Sequence, residues 1–271
     1  MLQHYGEEHP VHEIHQIREI LNHISFDTIV CWDLDNTLLQ AKHELGSDQW
    51  FNAIIRHVLT KMSALPLAME WAISVYTHVQ HLTQVEPVES VVIKLIRLMH
   101  EIGIPQYIVT ARGAELGDTT LRQLQHVGIE FNPNHIIFCS GKNKAEYLQS
   151  RLAFSPEYPR HVVMVDDKAS HVHDIKRMAQ NKRIRFSGFS YRHLDEKVSQ
   201  FDMAQANYQL GLIYEELPSH IQNYIDTLNI IDGQPSPLTK KPFSFFVRGA
   251  EVGHGLHDAS DELSIISNLS K

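Results

Sequence analysis

The chain has 271 residues, of which 43% are hydrophobic, and its formal net charge is −8 at pH 7. This length allows one large α/β domain, or a core domain with a small insertion, and the apolar content excludes a wholly disordered chain. The negative charge, together with a sequence that lacks a long Lys/Arg tract, argues against nucleic-acid binding through a basic surface.

The amino-terminal residues MLQHYGEEHPVHE are polar and acidic, which argues against a secretory signal, and no apolar run reaches transmembrane length. We therefore expect a cytoplasmic protein without a membrane partner. A second hypothesis is a secreted bacterial effector, exported by a signal in its polar carboxyl-terminal tail. Cys31 and Cys139 fall in predicted strands and are interpreted as buried thiols, so a disulfide framework is not expected.

The first third of the chain predicts a helix, a strand and a helical insertion. Ile and Leu recur at helical spacing in residues 11–24, and the apolar run at residues 29–32 predicts a strand buried on both faces. Residues 44–84 predict two helices, the first capped by Ser47 and the second beginning near Pro66. We therefore expect a small helical insertion after the first strand.

The remainder of the chain alternates between strands and helices, and a helix is predicted to begin at Pro87. Further strands are predicted at residues 106–109, 136–139, 161–165 and 184–189, with later helices at residues 169–180, 197–214 and 217–229. Such alternation indicates a parallel sheet with right-handed crossovers. The predicted domains are a core at residues 1–43 and 85–230, the helical insertion at 44–84 and a partly ordered tail at 231–271.

Polar residues follow three of the predicted strands. They are Asp33 and Asp35, then Thr110 and Arg112, then Asp166 and Asp167. Because the carboxyl ends of parallel strands meet at one edge of a sheet, we expect these residues to converge. Four carboxylates require a hard cation, and Mg²⁺ is suited because it takes oxygen ligands and keeps water and substrate phosphate in its shell. The pattern therefore indicates phosphoryl chemistry on a small phosphorylated substrate, with an aspartate as nucleophile.

In order and spacing, these motifs resemble those of the haloacid dehalogenase (HAD) superfamily over residues 27–191, and in particular its phosphatases. The resemblance implies a three-layer Rossmann-like parallel sheet, the HAD core, with a small helical cap inserted after the first strand. It also implies a Mg²⁺-dependent phosphomonoester hydrolase that acts through an aspartyl-phosphate. The stretches GSDQWF and FSGFSYRHLD are similar to an uncharacterised bacterial branch of HAD-like proteins.

The resemblance implies a role for each of the strand-end residues. Asp33 would attack the phosphorus, while Asp35 would act first as a general acid and then as a general base for water. Thr37 would steady the loop and contribute to substrate binding, and Thr110 would hydrogen-bond the phosphoryl oxygens. The insertion would form a lid that excludes water and selects the substrate.

The resemblance also implies a metal site and a catalytic lysine. The implied metal ligands are Asp33, the backbone carbonyl of Asp35, Asp166 and Asp167. A lysine at the start of a helix would balance the carboxylate charge and hold the nucleophile in place. Lys144 matches that position better than Lys142, which stays an alternative and a candidate for substrate binding.

Three further side chains near the motifs have two interpretations each. Arg112 would bind phosphate through two hydrogen bonds, or it would form a surface salt bridge at a helix start. His171 and His173 would reach the substrate or the metal, or they would be exposed helix residues.

Two other functions share the same motifs. A phosphotransferase or mutase on the same core would use every residue named above. A non-catalytic HAD-fold regulatory protein or secreted effector would need fewer of them. The substrate and the oligomeric state are left open by the sequence.

Overall fold

The computed structural model describes residues 9–153 and 159–231. Within them the strands are β1 (Val11–Ile14), β2 (Thr28–Trp32), β3 (Leu39–Ala41), β4 (Val85–Pro87), β5 (Gln106–Thr110), β6 (Ile136–Phe138), β7 (His161–Asp166) and β8 (Arg185–Tyr191). The helices are α1 (Asp48–Lys61), α2 (Leu65–Leu82), α3 (Val91–Glu101), α4 (Gly117–His126), α5 (Lys144–Leu152), α6 (Ala169–Lys182), α7 (Asp195–Ser199), α8 (Met203–Ile213) and α9 (Ser219–Leu228).

The fold is mixed α/β, with one six-stranded sheet in the order β1-β8-β7-β2-β5-β6. Every pairing within this sheet is parallel. A second sheet consists of β3 and β4, which pair antiparallel where the insertion leaves and rejoins the core. The predicted parallel α/β architecture is therefore confirmed.

The central strand β2 is buried along its whole length because helices cover both faces of the sheet. Val30 and Trp32 lie in an apolar cluster with α3, whereas Ile29 and Cys31 lie in a second cluster with α5 and α6. Both cysteines are buried free thiols, as predicted. This packing fixes the strand whose end carries Asp33.

The predicted strands after the insertion are confirmed to within one or two residues, but the helix predicted at residues 11–24 is wrong. Residues Val11–Ile14 form β1, which pairs with β8 at the edge of the sheet, and a 3₁₀ helix at Ile17–His23 follows. The edge of β8 supplies hydrogen-bond partners for the backbone of residues 11–14, and the 3₁₀ helix that follows still buries Ile17 and Ile20.

Two other helix boundaries differ from the prediction. Pro87 ends β4, and α3 begins only at Val91, because residues 85–87 pair with β3. The single helix predicted at residues 197–214 is divided into α7 and α8. The side chain of Asp202 caps the start of α8 by accepting hydrogen bonds from the backbone of Ala204 and Gln205.

The insertion packs against the two carboxyl-terminal helices of the described chain. Ser47 caps α1, as predicted, by accepting a hydrogen bond from the backbone of Trp50 at 3.0 Å. Buried apolar side chains of α1, α2, α8 and α9 then form one group, the insertion cluster, which includes Trp50, Val75, Leu210 and Ile221. The predicted domain boundaries stay a prediction, and the tail at residues 232–271 lies outside the described residues.

We predict that Ile221→Ala lowers the free energy of unfolding by about 2–5 kcal/mol, because it opens a cavity in the insertion cluster. Ile221 is 0% exposed and lies on α9. Phe26→Ala is the control, since Phe26 is 79% exposed. Urea unfolding of both variants decides the matter. Equal effects of the two substitutions would contradict the packing of α9 on the insertion.

Candidate active site

Three carboxylates meet at the carboxyl ends of β2 and β7. Asp33 follows β2 directly, Asp166 is the last residue of β7, and Asp167 is next in the chain. One oxygen atom from each of these residues lies within 4.8 Å of the others, and we call this group the acidic cluster. The backbone N–H of Asp33 donates to the carbonyl of Val165 at 2.8 Å, which extends the strand pairing into the site.

Lys144 joins the acidic cluster from the start of α5. Its Nζ donates to Asp33 Oδ1 at 2.5 Å and to Asp166 Oδ2 at 2.7 Å, and its side chain is only 1% exposed. The preceding residue, Asn143, caps α5 through its side chain and so sets where the helix begins. Lys142 is exposed. Of the two candidate lysines, Lys144 is therefore the one that the structure brings to the carboxylates.

Burial and mutual repulsion raise the proton affinity of two of these carboxylates. Burial, and next the charge of Asp166, raise the pKa of Asp33 to about 6, although Lys144 acts in the opposite direction. Burial and the charges of Asp33 and Asp166 raise the pKa of Asp167 well above its usual range. Burial also opposes ionisation of Asp166, but Lys144 and His171 outweigh it and lower its pKa. The single ammonium group of Lys144 therefore does not fully compensate the negative charge of the acidic cluster.

The chemistry of these donors fits a magnesium ion. Asp33, Asp166 and Asp167 offer three carboxylate oxygens, the ligand type that Mg²⁺ prefers, and a cation would relieve their repulsion. These three side chains could therefore hold Mg²⁺. The side chain of Asp35 is not a member of the group, and metal binding by its backbone carbonyl stays a prediction.

Two side chains of the loop after β2 orient the carboxylates. Thr37 Oγ1 donates to Asp33 Oδ2 at 3.3 Å, consistent with the predicted steadying role. Asn36 Nδ2 donates to Asp167 Oδ2 at 3.3 Å, a contact that the sequence analysis missed. Asn36 has a φ of 61°, and asparagine tolerates this left-handed conformation better than most residues. This conformational preference of asparagine is the feature of the sequence that could have pointed to Asn36.

Arg112 is buried and forms an ion pair with Asp35, whose side chain is 28% exposed. Its Nε and Nη2 donate to the two oxygens of Asp35 at 2.9 and 2.7 Å, and its side chain is 2% exposed. The surface salt bridge considered for Arg112 is therefore wrong, because the partner lies inside the site. Thr110, also buried, accepts a hydrogen bond from the backbone N–H of Arg112 at 3.1 Å. Phosphate binding by Thr110 and Arg112 stays a prediction.

The residues after Asp166 make contacts of two kinds. His171 Nδ1 lies 3.2 Å from both oxygens of Asp166, whereas His173 is exposed and faces the backbone of its own helix. Lys168 Nζ lies 3.0 Å from Asp48 Oδ2, an ion pair that joins the loop after β7 to the first residue of α1. Local sequence patterns do not reveal this link, because its two partners are far apart in the chain.

A family model described as "Protein of unknown function (DUF2608)" matches residues 10–136 and 132–223. The chain belongs to the DUF2608 family. It is 23% identical over 227 residues to a Chlamydia pneumoniae protein named "Putative outer membrane protein", with 75% of this chain and 87% of that protein covered. A Chlamydia trachomatis protein of the same name is 22% identical over 193 residues, covering 65% and 74%. No solved structure is significantly similar to the chain.

This family assignment corrects the resemblance drawn from the motifs. The matching family is DUF2608, so the assignment to the HAD superfamily, and to a bacterial branch of it, is wrong. Acidic residues at strand ends and a helix-start lysine are what a buried cation site in a parallel sheet requires, and their spacing alone does not establish descent.

In the described parts of the chain, none of the helices is long and apolar enough to cross a membrane.

The raised pKa of Asp33 leads to a test of stability against pH in metal-free protein. The pKa of Asp33 is about 6 in the folded state, above the ordinary aspartate value of 3.8, so its carboxyl group is mostly protonated at pH 5 and ionised at pH 8. The folded state is therefore penalised as the pH rises through this window. We predict that Asp33→Asn raises the melting temperature at pH 8 more than at pH 5, measured in EDTA.

Asp174→Asn serves as the control, since Asp174 pairs with Arg177 at the surface. A gain for Asp33→Asn that is no larger at pH 8 than at pH 5 would contradict the proposed electrostatic penalty.

A second test concerns the cation. We predict that Mg²⁺ raises the melting temperature of the wild type, because it binds the native acidic cluster and relieves its repulsion. Asp167→Asn should weaken this response and the binding measured by calorimetry, while Asp174→Asn should keep both. Mg²⁺ binding of equal strength in Asp167→Asn and the wild type would place the ion elsewhere.

Proposed function

We propose that the chain is a Mg²⁺-dependent phosphomonoester hydrolase that acts through phosphorylation of Asp33. The observation that supports this most is the position of Asp33, which lies at the end of a buried strand between Lys144 and two further carboxylates. When bound, Mg²⁺ would draw negative charge from the phosphoryl oxygens and align the phosphate with the nucleophile.

Asp33 is suited to act as the nucleophile. Lys144 binds Oδ1 and Thr37 binds Oδ2, so both oxygens of the carboxylate are oriented before the substrate arrives. One of these oxygens would form a bond to phosphorus as the bond between phosphorus and the leaving oxygen breaks. Water would then attack the same phosphorus and release inorganic phosphate from Asp33.

Asp35 is suited to move the protons of both steps. In its protonated form it would give a proton to the leaving oxygen in the first step. It would take a proton from the attacking water in the second step, which restores that protonated form. Its ion pair with Arg112 fixes the direction of its carboxylate. Thr110 accepts from the backbone of Arg112, so its own hydroxyl proton can be donated to a phosphoryl oxygen.

The insertion would act as a lid over this site. It begins beside the loop that follows β7, where Asp48 of α1 pairs with Lys168. Its two helices would cover a bound substrate. Because α8 and α9 share the insertion cluster, deletion of residues 44–84 would uncover their apolar side chains. Point substitutions on the insertion are therefore better tests of selectivity than its removal.

We further propose that the protein acts in the bacterial envelope or after secretion, in place of the expected cytoplasmic location. The support is the name of the two Chlamydia relatives, "Putative outer membrane protein". Fractionation of the native cells, with an antibody to the chain, tests this independently of activity. Recovery in the cytoplasm alone would contradict it.

We predict that Asp33→Asn abolishes release of phosphate, and that Asp35→Asn slows it by about 10²-fold or more with a poor leaving group. The assay uses a panel of phosphorylated metabolites, nucleotides and phosphopeptides with Mg²⁺, and Asp174→Asn as the active control. Residual hydrolysis by Asp33→Asn within about tenfold of the wild type would exclude Asp33 as nucleophile, since loss of a covalent nucleophile normally costs far more.

A second candidate is an exported protein that binds a divalent cation without turnover. The observation that favours it is the ion pair of Asp35 with Arg112, which engages both carboxylate oxygens of Asp35. Mg²⁺ binding without phosphate release from any member of the panel would support this candidate. A phosphotransferase or mutase would instead transfer the phosphoryl group to an added acceptor alcohol, which product analysis detects.

A further inference from the structure

Behind the Asp35–Arg112 pair, a series of buried polar side chains leads from the site towards the insertion. Arg112 Nη1 donates to Thr120 Oγ1 at 3.0 Å and to Gln123 Oε1 at 2.6 Å, both on α4. Gln123 Nε2 in turn donates to the backbone oxygens of Gln80 and Thr83, at 3.4 and 3.3 Å. All these residues are buried, so their polar atoms depend on partners within the protein.

The far end of this series is the place where the insertion joins the sheet. Gln80, on α2, donates from Nε2 to the backbone oxygen of Gly46 at 2.5 Å. Gly46 has a φ of 81°, and a Cβ at this position would lie 2.1 Å from Thr83 Oγ1. The entry and exit of the insertion are therefore in direct contact, and Gln80 binds one while Gln123 contacts the other.

We propose that Gln123 and Gln80 are positioning residues that hold the Asp35 carboxylate, through Arg112, in the orientation that proton transfer requires. This inference rests on the proposed function, in which Asp35 moves the protons. One edge of the guanidinium binds both oxygens of Asp35, and its remaining nitrogen is bound by α4. Rotation of Arg112 would break several buried hydrogen bonds at once, and this makes the arrangement rigid.

The same contacts connect the orientation of Asp35 to the position of the insertion. If the insertion moved away, Gln123 would lose the acceptor oxygens of Gln80 and Thr83. Gln123 could then turn away from Arg112, because the amide would no longer be held from both sides. Proton transfer by Asp35 is therefore efficient only while the insertion is seated on α4.

The test compares two substrates that differ in their need for a proton donor. An alkyl phosphate has a poor leaving group and requires protonation, whereas para-nitrophenyl phosphate requires little. Gln123→Met and Gln80→Met should lower kcat for the alkyl phosphate by about 10-fold to 10²-fold, because a small displacement of a catalytic group has effects of this size. Hydrolysis of para-nitrophenyl phosphate and KM for both esters should stay near the wild-type values.

Thr28→Val is the matched control, because Thr28 is also a buried threonine but lies at the opposite end of β2 from Asp33, where it contacts His161. The control should leave unchanged the ratio of kcat for the alkyl phosphate to kcat for para-nitrophenyl phosphate. Thr120→Val, which removes a hydrogen-bond acceptor from Arg112, should lower this ratio. If Gln123→Met fails to fold, Gln80→Met carries the same test from the insertion side.

A second measurement does not depend on turnover. The Nε–H signal of Arg112 in a proton–nitrogen NMR spectrum, assigned by its loss in Arg112→Lys, should exchange slowly with solvent in the wild type. It should broaden or disappear in Gln123→Met and Gln80→Met but persist in Thr28→Val.

The outcomes separate this inference from the proposed function. A wild type that hydrolyses neither ester contradicts the proposed function and, with it, the role of Asp35. An active wild type whose rate ratio and Arg112 signal are both unchanged in Gln123→Met and Gln80→Met contradicts the positioning role alone. A lowered ratio together with a lost Arg112 signal supports it.

Discussion

The interaction on which the site depends is the buried contact of Lys144 with Asp33 and Asp166. These two aspartates come from adjacent strands whose pairing extends to Trp32 and Val165, so the sheet itself forces them together. Two buried carboxylates without a counter-charge would oppose that pairing. The ammonium group supplied by α5 offsets the repulsion, and its burial is tolerated because both partners are charged. Helix α5 is thus linked electrostatically to the centre of the sheet.

Much of the sheet and the acidic cluster could be predicted because local sequence determines both. A short apolar run flanked by polar turns indicates a strand buried on both faces, and an aspartate directly after it must lie at the carboxyl edge of a parallel sheet. Asp33, Asp166 and Asp167 were predicted in this way, whereas Lys144 was chosen because it matched the helix-start lysine that the resemblance implied. The same local signals misassigned the family, since they describe what a cation site needs and are not specific to one lineage.

The features that the sequence did not reveal depend on partners distant in the chain. Strand β1 exists because the edge of β8 offers it hydrogen bonds, and β3 and β4 are too short to show a pattern without each other. The ion pair of Arg112 with Asp35 joins residues 77 positions apart, and either side chain alone resembles an ordinary surface charge. The packing of α8 and α9 on the insertion likewise follows from apolar faces that any of several helices would match.

The position of β2 in the sheet has a consequence for the order of events during synthesis. Thr28 of β2 lies beside His161 of β7, to which it is hydrogen-bonded across 133 positions of sequence. A chain still emerging from the ribosome therefore contains β2 long before it contains β7, the neighbour that completes the central pairing. Contacts between such distant residues form slowly, because the chain that lies between them must first lose conformational entropy as the loop closes. The acidic cluster is accordingly among the last parts to assemble, and a nascent chain that ends before Asp166 lacks two of its three carboxylates.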